Sequence, residues 1–317
     1  MEPNTSSSFE KTITELINTS KPLRNSKLVE LSDLNSDEAK SLDKVWATIE
    51  LKRRRQIMNR LVELAEGNTE LNFDVIFKSG LRDEDAEIRA KAIEGLWENE
   101  ESSLIEPLIR LMDDTSTEVQ EAATKALSKF SLLAALGKLR PYHTEKLAGS
   151  LFKVLEDKEK PIELRRRALE AVAPLELVKV QEAINDAYQS ENNKLKISAV
   201  YAMGKNCNPS WLPVLLEELG SADSEMRYEA AGACGELGEV ESVPSLIKLI
   251  NDTDMEVRLA AIDALGKIGG LPAKNCLKRC LTNPSEVIRQ AAEQALHQLE
   301  VEDNPLEIKM WDDDKEA

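Results

Sequence analysis

The apolar positions of this chain follow a helical rhythm, and the rhythm itself recurs. An apolar residue standing just before a basic or polar one appears at Ile88, Val119, Leu164, Leu195, Met226, Val257 and Ile288. The gaps between them are 31, 45, 31, 31, 31 and 31 residues, one period interrupted by a single 14-residue insertion. Four positions after each anchor stands an alanine: Ala92, Ala123, Ala168, Ala199, Ala230, Ala261 and Ala292. Seven positions after stand Gly95, Ala126, Ala171, Ala202, Ala233, Ala264 and Ala295, all tiny. Eight after stand Leu96, Leu127, Val172, Met203, Cys234, Leu265 and Leu296. Offsets 0, 4, 7, 8 and 11 share one face of an α-helix. Its small members let a neighbouring helix approach, and its larger ones fill the seam.

A second apolar run precedes most anchors, as in SLIEPLIRLM, SWLPVLLEEL and SVPSLIKLI. Proline near the start of these runs fits a first helical turn, where its missing N–H costs nothing. The loops that follow carry Asp, Asn or Ser, which cap helix N-termini. Each period therefore predicts a helical hairpin of about 30 residues that buries its faces only by stacking on further copies. The expected fold is all-α, an armadillo-like α-α superhelix of about seven hairpins over residues 70–300, with the insertion near 131–144. Within the insertion, Leu132, Leu133, Leu136 and Leu139 predict a short extra helix stopped by Pro141, read as a partner contact, or else, the favoured reading, a longer helix with a packed elbow. Residues 21–69 are expected to form an N-terminal helical cap. There a Ser36-capped helix and an amphipathic LKRRRQIMNRLVELAE lack the alanine columns. Residues 1–20 predict a flexible tail. Residues 301–317 predict an acidic tail that either folds back through Leu306, Ile308 and Trp311 or hangs free.

The segments NDTDMEVRLAAIDALGKIG, RDEDAEIRAKAIEGL and NPSEVIRQAAEQAL resemble the second half of HEAT repeats, in the short form found in many bacterial proteins and in phycobilin-lyase-like subunits. The resemblance implies an α-solenoid whose second helices line a concave side. It also implies a structural ladder of recurrent Asp and Arg tying successive units, here Asp83, Asp114 and Asp252 with Arg89, Arg165, Arg227, Arg258 and Arg289. Gln120 and Lys196 interrupt the arginine column.

Glycines in GKIGG, residues 266–270, could pass for a phosphate cradle. Such a cradle opens a helix after a strand, whereas this run closes one. Gly266 shares offset 9 with Gly204 and Gly235, and Gly269 shares offset 12 with Gly238. We read these positions as helix ends.

Composition narrows the chemistry. A formal net charge of −17 repels phosphate backbones and anionic membranes. The basic runs Lys52–Arg55 and Arg165–Arg167 read as locally salt-bridged patches. HEAT-like DNA glycosylases would need basic side chains facing inward on several successive units. With only two histidines in the chain, followed by Thr144 and Gln298, the His-Glu iron motifs of HEAT-like deoxyhypusine hydroxylases are missing. The four cysteines fit no zinc spacing, and no 18-residue apolar run or signal core is present. The sequence thus predicts a cytoplasmic, monomeric protein with no cofactor and no metal.

The offsets facing the groove nominate Ile197, Tyr201, Tyr228, Leu259 and Asp263 as a partner-binding stripe, with Arg166 and Arg167 to orient an acidic segment. The expected function is a non-enzymatic scaffold that binds another protein through its concave surface. The resemblance also implies an alternative, a bilin-lyase-like or chaperone-like subunit acting on a chromophore protein. A more distant one is nucleic-acid repair.

Overall fold

The computed structural model describes residues 8–303, which form two compact units, one up to Ala171 and the other from Val172. In unit 1, α1 (Ser8–Ile17) and the short α2 (Asn25–Leu28) precede four hairpins. These are α3 (Ser36–Trp46) with α4 (Leu51–Gly67), α5 (Asp74–Gly80) with α6 (Ala86–Gly95), α7 (Ile105–Leu111) with α8 (Thr117–Ala135), and α9 (Pro141–Glu156) with α10 (Ile162–Val172). Unit 2 holds four more: α11 (Val178–Tyr188) with α12 (Asn193–Asn206), α13 (Leu212–Glu218) with α14 (Ser224–Leu237), α15 (Val243–Leu249) with α16 (Met255–Ile268), and α17 (Gly270–Cys280) with α18 (Glu286–Asp303). Among the described residues there is no strand, and the fold is all-α, built of stacked helical hairpins within each unit.

The alanine column makes the seam. All seven anchor-plus-four alanines have no exposed surface. In unit 1, α4 stacks on α6 and α6 on α8; in unit 2, α12 stacks on α14, α14 on α16 and α16 on α18. The stacking is closest at the offset-9 glycines. A β-carbon on Gly204 would lie 2.6 Å from the α-carbon of Ala233, and one on Gly235 would lie 2.9 Å from the α-carbon of Ala264. At Gly266 it would lie 2.8 Å from the Ala295 β-carbon. This corrects the reading of these glycines as helix ends. They sit within α12, α14 and α16, and they are small because the next helix lies against them. The stops are Gly238 and Gly269, at φ +75° and +71°.

Loop side chains start the second helices as their chemistry dictates. Asp85 accepts from the Ile88 N–H, Asn192 from Leu195, Asp223 from Glu225 and Asp254 from Glu256 and Val257. Helix α3 is capped one residue earlier than expected. Asn35 accepts from Asp37 and Glu38 while the Glu38 carboxylate accepts from the Asn35 N–H, a reciprocal capping box.

Residues 8–17 of the expected tail form α1, which buries Ile13 and Leu16; residues 1–7 and the fold-back residues Leu306, Ile308 and Trp311 lie outside the described residues. The pair α3 and α4 stacks on the first repeat, α4 against α6 and α3 against α5. The insertion makes no separate helix. It follows the longer-helix reading, lengthening α8 to 19 residues through Ala135, and Pro141 opens α9 at its first position rather than ending a helix.

The ladder closes where an arginine and an aspartate both exist. Arg89 grips Asp114 through Nε and Nη2 at 2.8 and 2.7 Å, and Arg227 grips Asp252 in the same bidentate way at 2.8 and 2.8 Å. Each arginine also donates to two carbonyls of its own loop, Asp83 and Glu84 or Ser221 and Ala222. The partner of Asp83 is Arg54, at 2.9 and 2.7 Å, with Trp46 Nε1 at 2.7 Å. Arg54 lies in the basic run of α4, beside the buried Arg53. In the other units the arginine holds carbonyls alone: Arg165 that of Leu155, Arg258 that of Ile250, and Arg289 those of Asn283 and Pro284.

Two predictions follow from this packing. The Arg54 and Asp83 side chains are 5% and 1% exposed, so Asp83→Ala leaves the buried guanidinium only its exposed second partner, Glu84 at 2.8 Å, and lowers unfolding free energy by about 3 kcal/mol. Urea unfolding checks this against Lys40→Ala, whose exposed partner Asp37 makes a loss beyond about 0.5 kcal/mol unexpected. Gly204→Ala, which helix propensity alone favours, instead costs about 1–3 kcal/mol because Ala233 backbone blocks the methyl. A variant with equal or higher stability would refute that packing.

Candidate functional site

The second helices of unit 2 present their solvent-facing offsets side by side and so line a groove of about 340 Å³. Its wall comes from three successive helices, α12, α14 and α16. Offset 6 contributes Tyr201, Gly232 and Asp263; offset 2 contributes Tyr228 and Leu259; offset 10 contributes Lys205, Glu236 and Lys267. The small buried offsets hold these helices together, and the same 3.6-residue period turns the remaining offsets outward. Adjacent packed helices are about 8–10 Å apart, so side chains on neighbouring helices converge on one ligand-sized strip.

Across the strip runs a gradient of chemistry. Its middle is apolar and open: Tyr201 and Tyr228 are 36% and 41% exposed, Leu259 is half-buried, and a β-carbon on Gly232 would meet no atom within 4 Å. One side carries Glu229 and the exposed Glu256. The other is an ion-paired ladder. Glu236 lies 3.3 Å from Lys205 and 2.9 Å from Lys267, and Lys267 also reaches Asp263 at 3.0 Å. The Lys205 ammonium sits 5.7 Å from the Tyr201 ring centroid, a cation–π contact.

Burial works to raise Glu236, but the Lys267 and Lys205 ammoniums outweigh it and hold the carboxyl below its ordinary range. Lys267 is the mirror case: burial works against its charge, yet Glu236 and Asp263 hold it above the usual lysine range. This side of the groove is therefore charged and internally neutralised at physiological pH.

Among the nominated residues, the structure brings Tyr201, Tyr228, Leu259 and Asp263 into one groove. It leaves Ile197 out: at 2% exposure it faces the seam of α12, which corrects the expected stripe. Offset 2 on α12 thus turns toward neighbours rather than the groove. Arg166 and Arg167 belong to α10, in unit 1, where Arg166 pairs with Glu163 and Arg167 with Glu170 at 2.8 and 2.7 Å. Sequence reasoning missed Lys205, Glu236 and Lys267. Their signal was present, as three charges of alternating sign at offset 10 with a 31-residue spacing.

The second basic run is bound up in structure. Arg53 donates to the carbonyls of Leu16, Asn18 and Lys21, closing the end of α1, and Arg55 grips Asp85 and Glu87. Three of the cysteines are held in the thiol form. Burial pushes Cys234 up to about 12 and raises Cys280 and Cys207 above their ordinary value. Among the described residues no cluster of three or more His, Cys, Asp or Glu side chains could hold a metal ion, and no helix is long and apolar enough to cross a membrane.

Comparison with known proteins agrees with this architecture. The family described as HEAT repeats matches residues 76–147 and 212–297. No curated protein matches the chain by sequence. Among solved structures it is similar to the complex of CpcE and CpcF of phycocyanin lyase from Nostoc sp. PCC7120, at 15% identity and TM-score 0.52, covering 89% of this chain and 97% of that one. It is also similar to Kap95p bound to RanGDP, at 14% identity and TM-score 0.50, covering 92% of this chain and 46% of that one. At these identities the likeness concerns the fold.

The electrostatics carry a testable sign. With Lys205→Gln and Lys267→Gln together, burial is what remains, so the Glu236 carboxyl moves upward past its ordinary value of 4.5. Carbon-detected NMR titration of the side-chain carboxyl reads the shift. A carboxyl that stays depressed in the double variant would show that the lysines do not set it.

Proposed function

We propose that this chain, a HEAT-repeat protein, is a non-enzymatic scaffold that holds a segment of another protein in the groove of its second unit. One observation carries the reading: Tyr201 and Tyr228, on successive helices, expose their rings over an open apolar strip instead of packing into the seam. Tyrosine pairs a large apolar face with a polar tip and loses little side-chain entropy on binding, so such residues often anchor interfaces. The α12–α16 backbone behind them is held by glycine-to-alanine contacts, so the platform is formed before a partner arrives and less ordering cost opposes binding. CpcE in complex with CpcF and Kap95p bound to RanGDP use folds of this kind in protein complexes, which supports a protein partner.

The test places a photo-reactive benzoylphenylalanine at Gly232, where space is open, and irradiates the protein in its native cell. Partner capture is expected from Gly232. It should fall by roughly tenfold when Tyr201→Ala and Tyr228→Ala are added, with circular dichroism and melting unchanged. Equal capture with and without the tyrosines would sink the groove as the contact site.

A further inference from the structure

We infer that the occupant of this groove is a basic segment, an extended stretch bearing arginine or lysine beside apolar residues. The inference rests on the reading of the groove as a protein-binding site and names the chemistry of its partner.

The first observation is charge. Four carboxylates line the groove, Glu229, Glu236, Glu256 and Asp263, against two ammonium groups, Lys205 and Lys267. Glu229 is already engaged by a neighbour and is not counted; three minus two leaves one negative charge, on Glu256 at the exposed side. The whole chain, at −17, adds a long-range field of the same sign, which speeds the approach of a cation.

The second observation is commitment. Both lysines already serve carboxylates inside the groove: Lys267 bridges Glu236 and Asp263, and Lys205 reaches Glu236. An acidic ligand must pull these ammoniums away and leave Glu236, a half-buried carboxylate, without them. A basic ligand leaves the ladder intact and meets Glu256 on the exposed side.

The third observation is the ring faces. Lys205 already rests over Tyr201, so that face receives a cation in this structure, and Tyr228 exposes its ring one helix further along. A guanidinium or ammonium over a tyrosine face gains from the ring quadrupole, more so when partly desolvated. The alkyl stem of the same side chain covers Leu259 and the tyrosine edges. Apolar strip, ring faces and acidic rim thus match the three parts of one arginine or lysine side chain.

Fluorescence anisotropy on the full chain tests this with two labelled nine-residue probes, one alternating Arg and Leu, the other alternating Glu and Leu, at physiological ionic strength. The basic probe should bind and the acidic one should not. Tyr201→Ala with Tyr228→Ala should weaken the basic probe by roughly tenfold. Lys267→Gln should tighten it by about threefold, because Glu236 and Asp263 are released to the ligand. Glu241→Gln, in the exposed turn before α15, controls for the general acidity of the chain and should change nothing. Preferential binding of the acidic probe, or weaker basic binding in Lys267→Gln, overturns the inference. So does an equal loss in Glu241→Gln and the tyrosine variant. Capture through Gly232 without competition from the basic probe would leave the groove as the contact site and refute the basic occupant. Absence of both would remove the groove itself.

Discussion

The close approach of consecutive second helices is the constraint on which the rest of unit 2 depends. It is set where no side chain stands. Ala233, Ala264 and Ala295 occupy the space that β-carbons on Gly204, Gly235 and Gly266 would need. Helices that pack at this distance have few options for rotation, because protein interiors tolerate neither overlap nor void. Fixing rotation fixes which offsets face outward. That is why tyrosines and charges from three different helices meet in one groove, although no contact within any single helix requires it.

A second constraint comes from the chain's acidity. With 41 basic and 58 acidic residues, carboxylates outnumber their partners. The basic side chains at the joints between hairpins are held in specific bonds rather than left as free surface charge. Arg54, Arg89 and Arg227 each reach from one hairpin to an aspartate of the next, and Arg53 closes α1. The two-nitrogen grip of Arg89 and Arg227 suits guanidinium and not ammonium, so a lysine could not make the same tie. The depressed carboxyls of Asp252 and Asp114 fit this arrangement. Arg227 lowers the first; in the second, Arg89 overcomes the upward push of burial. Their stabilising effect is present above the unfolded carboxylate range and is lost as pH falls through their lowered values.

The groove inherits its character from both constraints. Helix spacing sets its width, and the charge balance leaves its lysines neutralised by Glu236 and Asp263 while its outer side remains acidic. Tyr201 and Tyr228 then supply apolar area on a surface otherwise dominated by charge. The proposed role would use both, discriminating a ligand by sign and by shape with the backbone behind the groove already in place.

The sequence by itself determined the period, the helical hairpins, the alanine seam and most groove positions. These depend on local periodicity, which the one-dimensional order of residues carries in full: Tyr201, Tyr228, Leu259 and Asp263 were placed by counting offsets from an apolar anchor. Counting failed where neighbours in space decide. Ile197 shares its offset with Tyr228, yet its helix turns that offset into the seam, so it is buried. Arg54 was not matched to Asp83 because it stands 35 residues before Arg89, off the 31-residue period, so the column search passed it by. Gly266 reads as a stop in one dimension and as a contact in three, because the residue that makes it necessary, Ala295, belongs to the next hairpin. The pairing of Glu236 with Lys205 and Lys267 likewise joins residues one period apart. Tertiary structure decided such cases for one physical reason: a helix's own sequence sets which residues share a face, but only the packed neighbour sets which face is inside.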